Sequence, residues 1–420
     1  MRSDSEPPGE APASVASSRP PFSFRYLLGG NWLAYGSYGV LIAVLPLAEL
    51  SEGGGPILAT LVLGAPLLAQ TLAAWGWGWL GDRTGSRRGP LVLAALLQAP
   101  LFATFPLLGP LALFGVRIVQ SALFGSVVLA TTLATEDPNA SSAFRLGRLQ
   151  LAQNGGMLLG VVVSFPLLVG SGFRLDSLAG WGLSAVLAVF TVLSAVLFAA
   201  AGTLPRREVT PSVFQPASHP KVFRLAEATA VVSTARYMVV AAVPVYLAST
   251  LGRSGFFGLS ANPTEQLAVW VAISSALNIV ASPFSGRWAE TSAVRRRSLL
   301  AFSVVYAAIW FLIAAAPTYG VTFGVWILPV AVFFTVAGVR EAAQLSGPAE
   351  RGRAVGLVTA AFNLGGLLGG AAAGVLLAEG FPVPTVFLIA AFGSVAGALL
   401  FVPGAVAANG RTEELRTSGS

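Results

Sequence analysis

The stretch Gly78-Trp79-Leu80-Gly81-Asp82-Arg83-Thr84-Gly85-Ser86-Arg87-Arg88 decides the reading of this chain. It is short, polar and glycine-bearing. Apolar runs at about 57–80 and 90–108 flank it, each long enough to cross a bilayer, which takes about 20 residues. The stretch therefore reads as a tight loop between two membrane helices. Gly85 supplies a position free to take positive φ. Asp82 is suited to face a helix N-terminus or an arginine. The arginines hold the loop at a water-facing surface. A degenerate copy follows at an offset of 208, as Gly286-Arg287-Trp288-Ala289-Glu290 with Arg295-Arg296 behind it.

Working outward, ten further apolar runs appear. The full set is about 24–48, 57–80, 90–108, 110–134, 143–169, 179–203, 222–250, 265–288, 298–316, 320–346, 353–378 and 382–405. The composition agrees: 55% of the 420 residues are hydrophobic and 10% charged. Soluble domains carry about 25% charged residues, so an ordinary soluble enzyme, a nucleic-acid binder and a disordered chain are excluded. Without its polar ends the chain has roughly 385 residues, which at about 32 per helix and loop allows about twelve spans. The runs are too long and too evenly apolar for barrel strands.

The arginines set the orientation. One side takes Arg25, Arg83, Arg87, Arg88, Arg145, Arg148, Arg206, Arg207, Lys221, Arg224, Arg287, Arg295 to Arg297, Arg351 and Arg353; the other takes Arg174 and Arg253. By the positive-inside rule the first side is cytoplasmic, with both termini on it. The expected organisation is a disordered cytoplasmic tail over 1–21, a six-helix bundle over 22–203, a cytoplasmic linker over 204–220, a second six-helix bundle over 221–406 and a tail over 407–420. The net charge of +7 belongs to cytoplasmic loops rather than to a nucleic-acid site.

The halves repeat. Asn154-Gly-Gly-Met-Leu-Leu-Gly160 matches Asn363-Leu-Gly-Gly-Leu-Leu-Gly369 at an offset of 209, and Pro138 matches Pro348 at 210. Parallel six-helix repeats are a transporter architecture, with the solute site between the halves near mid-membrane. The glycine runs Gly147…Gly155-Gly156…Gly160 and Gly356…Gly365-Gly366…Gly369-Gly370 suit close helix packing, expected here between the halves.

On these residues the chain resembles the major facilitator superfamily. Gly78 to Arg88 matches its loop signature G-x-L-[AG]-D-[RK]-x-G-x-[RK]-[RK], and the degenerate copy falls between helices 8 and 9, where that family has one. The resemblance covers about residues 24–405. It implies an all-α polytopic fold of twelve transmembrane helices in two pseudo-symmetric bundles, moving a small solute by rocker-switch alternating access. It also implies a conformational latch at Gly78, Asp82, Arg83, Gly85 and Arg88. Glu290 is a weaker carry-over, since Ala293 stands where Gly85's equivalent belongs. Arg340 and Glu341 resemble the charged cluster that latches the second half, with Glu290 and Arg353 as expected partners. Arg117-Ile-Val-Gln120-Ser121 resembles the motif R-x-x-Q-G, with Ser121 for glycine, and implies proton coupling through Arg117. The helix 5 glycine run partly resembles an antiporter motif, but Val161 follows Gly160 where that motif has proline.

Charge inside a bilayer usually faces a cavity or a partner. Arg236, about fifteen residues into helix 7 beside Tyr237, and Arg117 are the expected cavity cations, the latter alternatively snorkelling at the outer interface. Asn31, Tyr35 and Tyr38 share one helix face by their i, i+4, i+7 spacing and are expected to line the cavity, with Gln120, Asn154 and Asn363. Gln70, Gln153 and Asn278 are further candidates. Glu227 reads as a proton carrier or as the partner of a nearby arginine. No carboxylate is expected at mid-depth, since Glu49 and Glu379 lie near helix ends. Two arginines without a facing acid favour an organic anion or polar metabolite. Proton-antiport multidrug efflux is the alternative, and a transport-dead receptor that of another class. With no cysteine and a single histidine, His219, no enzyme chemistry, metal or cofactor is expected. The expected protein is a multi-pass monomer of the cytoplasmic membrane, whose partners are lipid, a small-molecule substrate and protons.

Overall fold

The structure, a computed structural model, describes residues 22–84, 86–136, 142–168, 176–202, 220–249, 262–289, 292–346 and 351–402. Asp82 and Arg353 lie in helices, but their side chains are outside the described set, and Gly85 and Glu290 are outside it entirely. The described residues are helical throughout, without a strand.

Twelve helical spans are long and apolar enough to cross a membrane. In the first half they are α1 (Phe24–Ser51), α2 (Gly55–Thr84), α3 (Arg88–Thr104), α4 with α5 (Pro110–Phe124 and Val128–Glu136), α6 (Ser142–Leu168) and α7 (Leu178–Ala200). The second half has α8 (Pro220–Ser249), α9 (Pro263–Trp288), α10 (Ser292–Ala315), α11 with α12 (Tyr319–Trp326 and Val330–Leu345), α13 (Arg351–Ala378) and α14 (Val383–Leu400). The membrane face where α2 ends and α3 begins is called the motif face below, and the opposite one the far face.

Two spans are interrupted for local reasons. The fourth tightens into a 3-10 turn at Gly125–Val127. There the chain runs so close to α2 that a Cβ on Gly125 would lie 2.5 Å from the Gln70 carbonyl oxygen. The tenth breaks before α12 at Pro329, which has no N–H to continue a helix. Several spans that start at the far face carry side-chain caps. Ser177 accepts from the Gly180 amide, Asn262 from Thr264 and Thr318 from Val321, so these helix ends keep their first donors satisfied.

The packing repeats with the sequence. In the first half α1 packs on α6 and α7, α3 on α7, and α2 on α4; in the second, α8 packs on α13 and α14, α10 on α14, and α9 on α12. The halves meet through α2 against α13 and α6 against α9, an exchange of equivalent helices. At the far face Leu47 of α1 joins the core of the second half with Val243 and Leu247 of α8.

The glycine runs divide these contacts differently from expectation. On α6, a Cβ at Gly156 or Gly160 would collide with the Trp32 or Gly36 carbonyl of α1. Those glycines therefore close the first half internally, and only Gly147, near the Ser282 carbonyl of α9, faces the other half. On α13 the run splits. Gly365 and Gly369 press on α8 inside the second half, whereas Gly366 and Gly370 press on Leu67, Thr60 and Gly64 of α2, across the seam. A pair of adjacent glycines points to two sides of a helix, so one motif serves two neighbours.

Gly160→Ala should therefore destabilise the first half by about 2–3 kcal/mol, the usual cost of overpacking. It should lower the melting temperature in detergent, while Gly356→Ala, with open space around it, should not lower it, since alanine is the better helix former. Equal melting temperatures for the two variants would refute the α1–α6 contact.

Candidate functional site

A cavity of about 400 Å³ lies between the halves, within the range of small-molecule sites, about 300–1,000 Å³. Its walls come from both repeats. α1 contributes Tyr35 and Tyr38, one helical turn apart, and α6 contributes Gln150, Gln153 and Asn154 at i, i+3, i+4 spacing. From the second half come Arg236 and Tyr237 of α8, Ser274 and Asn278 of α9, Tyr306 and Trp310 of α10, and Asn363 of α13. The walls extend toward the motif face as far as Leu146 on α6 and Val355 on α13. Met157 to Leu146 spans about 16 Å at 1.5 Å per residue.

Arg236 is the one charged side chain among the described residues of this wall. It is half-buried. Its guanidinium carbon lies 5.2 Å from the centroid of the Tyr237 ring, and Tyr38 and Tyr306 are within electrostatic reach. Ring faces attract a cation but supply no counter-charge. No carboxylate lines the described wall.

Arg117 has a different place. It is 2% exposed and does not line the cavity. It donates to Gln120 Oε1, and Gln120 Nε2 donates to Gln98 Oε1 at 2.7 Å. Its guanidinium carbon lies 5.5 Å from the Tyr38 ring centroid. The expectation that Arg117 and Gln120 form the wall is thus corrected: they sit one layer behind it, their polar groups turned to each other and the ring of Tyr38 in front. Asn31 is corrected as well. It shares the face of Tyr35 and Tyr38, but that face is closed by protein one turn nearer the motif face, where Asn31 is 0% exposed.

Of the expected residues, the structure brings Tyr35, Tyr38, Asn154, Arg236, Tyr237 and Asn363 to one wall, with Gln70, Gln153 and Asn278. Asn154 also spans the seam, donating to Ser282 Oγ of α9 at 3.5 Å. Sequence reasoning missed Tyr306 and Trp310. Their rings stack at 5.4 Å with an interplanar angle of 17°, and their i, i+4 spacing, with a hydrogen-bonding group on each ring, was the available signal. Glu227 is exposed near the motif-face end of α8 and is not part of the wall.

At the motif face Arg83 is exposed and lies over the Trp79 ring at 5.1 Å, Gly78 has open space around it, and Arg88 begins α3. The second copy is better defined. Arg295, 0% exposed, donates from Nε to Glu341 Oε2 at 3.0 Å, from a terminal nitrogen to the Ala289 carbonyl at 2.8 Å, and to Gln344 Oε1. Arg296 donates to Glu341 Oε1 at 2.6 Å. Glu341 is thereby clamped by two arginines of α10; Glu290 and the Arg353 side chain, the partners expected for Arg340 and Glu341, lie outside the described residues. Arg340, its neighbour, is half-buried. Among the described residues no cluster of groups could hold a metal.

The sequence model of the Major Facilitator Superfamily matches residues 225–418. The second half of the chain therefore carries the sequence pattern of that superfamily. The signature loop lies outside the matched stretch and so supports the same family independently. Solved transporter structures share the fold. The human organic anion transporter MFSD10 is 16% identical, with a TM-score of 0.68 over 90% of this chain and 98% of that one. The nucleoside transporter NupG is 17% identical, with a TM-score of 0.63 over 90% and 98%. A POT family transporter in complex with a thioalcohol conjugated peptide is 10% identical, with a TM-score of 0.73 over 90% and 94%. At such identities the likeness is one of fold. No curated protein matches the chain by sequence. With twelve apolar spans among its described residues, the chain is a multi-pass membrane protein.

The Glu341 clamp gives a direct check. Glu341→Gln leaves Arg295 buried without its counter-charge, which should cost about 3 kcal/mol and lower the melting temperature clearly. Arg295→Met combined with Glu341→Leu should recover most of that loss. A Glu341→Gln protein as stable as the parent would contradict the clamp.

Proposed function

We propose that this chain is a secondary transporter that moves a small organic anion across the cytoplasmic membrane by alternating access. Arg236 carries the reading. A guanidinium in the membrane interior costs at least about 2.5–3.5 kcal/mol on insertion scales, and this one faces the cavity with aromatic rings as its neighbours. A carboxylate or similar anion supplies the missing counter-charge through two parallel hydrogen bonds. A cationic drug would set its charge against Arg236, and the described wall offers no acid to receive it. That disfavours multidrug efflux.

The arginine excess on the motif face makes that face cytoplasmic under the positive-inside rule. With the α2–α13 contacts at the far face and the cavity walls reaching toward the motif face, the arrangement fits an inward-facing state. In the proposed cycle the halves rock about the cavity. The Gly78–Arg88 loop and the Glu341 clamp act as latches at the motif face. Asp82→Asn should then slow turnover more than it weakens binding.

Uptake into proteoliposomes tests the reading. With a panel of small carboxylates, sugars, amino acids and cationic drugs, saturable flux should appear for carboxylates. Arg236→Gln should reduce that flux at least tenfold without lowering the melting temperature, since it relieves a desolvated charge. Flux of cations or sugars that ignores Arg236→Gln would overturn the anion reading. Repeating the assay with and without a pH gradient separates proton-coupled transport from uniport.

A further inference from the structure

The cavity contains more chemistry than one cation. Its single charge limits the ligand, since a second carboxylate would be desolvated with no described cation to meet it. Around the cation the wall is made of rings. Tyr306 and Trp310 stack on the second-half side. Tyr38 stacks on Phe124 at 5.3 Å and 11° on the first-half side, and all four line the cavity. Planar rings prefer planar partners, in offset or edge-on contact.

The hydrogen-bond inventory is also uneven. Tyr306 OH and Trp310 Nε1 are buried, at residues 4% and 5% exposed, and neither has a partner. Both can donate, and an indole N–H can only donate. Asn278 presents the opposite case. Its Nδ2 donates to the Ser274 carbonyl at 2.9 Å, which fixes the amide's orientation, and its Oδ1 is buried without a partner. An unpaired buried donor or acceptor costs about 1–3 kcal/mol, so each is a vote for a complementary ligand group. The donors of α8 and α10 suit a carboxylate, and the acceptor of α9 suits a hydroxyl or amine.

We infer that the substrates are aromatic monoanions carrying a hydrogen-bond donor on the ring away from the acid group. This rests on the organic-anion reading above. The carboxylate takes Arg236 with the Tyr306 and Trp310 donors, the ring lies among the aromatic side chains, and the donor reaches Asn278 Oδ1.

Calorimetric titration of the purified full-length protein tests it with five probes: 4-hydroxybenzoate, benzoate, cyclohexanecarboxylate, terephthalate and 4-hydroxybenzamide. 4-Hydroxybenzoate should bind tightest. Benzoate should be about tenfold weaker for the lost hydrogen bond, and cyclohexanecarboxylate about fivefold weaker again for the lost ring contacts. Terephthalate and the uncharged amide should give no measurable binding. In Asn278→Ala the advantage of 4-hydroxybenzoate over benzoate should vanish, while benzoate affinity stays within about twofold. The persistence of benzoate binding shows that the variant is folded. The inference is overturned by cyclohexanecarboxylate binding as well as benzoate, by terephthalate binding as well as benzoate, or by a hydroxyl preference that survives Asn278→Ala. In those three outcomes the organic-anion reading still stands. Binding of the uncharged amide as tightly as the acid, or of no anion at all, overturns that reading together with this one.

Discussion

The rest of the site depends on one electrostatic constraint, which is that a guanidinium cannot be left in a membrane interior without compensation. The chain compensates three buried or half-buried arginines in three ways. Arg295 is held by a carboxylate, a side-chain amide and a backbone carbonyl. Arg117 is held by a chain of two glutamines behind a tyrosine ring. Arg236 has a ring face and the cavity. Arg295 has its charge balanced inside the protein, whereas Arg236 is left with charge to offer. That contrast, rather than depth alone, separates a structural arginine from one available to a ligand.

Backbone proximity is the second constraint. The helices that frame the cavity approach closely enough that carbonyls occupy the positions of absent side chains, at Gly160 against Gly36 and at Gly64 against Gly366. These contacts fix α1 to α6 and α13 to both α8 and α2. Their effect on the site is register. Tyr35 and Tyr38 stand on α1, Asn154 on α6 and Asn363 on α13, so the same glycines that join the helices set the height of the polar wall residues relative to Arg236.

Much of this architecture was legible in the sequence. Apolar runs gave the spans because lipid tolerates little else, and the repeat offset gave the pairing of equivalent helices. The cavity was legible where a polar group interrupted an apolar run, as at Arg236, Asn154 and Asn363. It was less so where burial depended on a neighbour. Asn31 has the same helical phase as Tyr35, and only packing distinguishes them. Arg117 was expected at the wall because its cost was visible, while Gln98, the residue of another helix that holds Arg117's partner Gln120, was not. Tyr306 and Trp310 were missed because an aromatic pair on a membrane helix usually signals packing, and their unpartnered donors appear only in three dimensions. The direction of a glycine face, toward α1 or toward the other half, was likewise beyond a one-dimensional pattern.

A cryo-electron microscopy map of the protein with bound 4-hydroxybenzoate would test the central claim most directly. The account predicts ligand density between Arg236 and Asn278, with the carboxylate within hydrogen-bonding distance of the Arg236 guanidinium. Density elsewhere, with the Arg236 guanidinium still facing only its tyrosines, would contradict it.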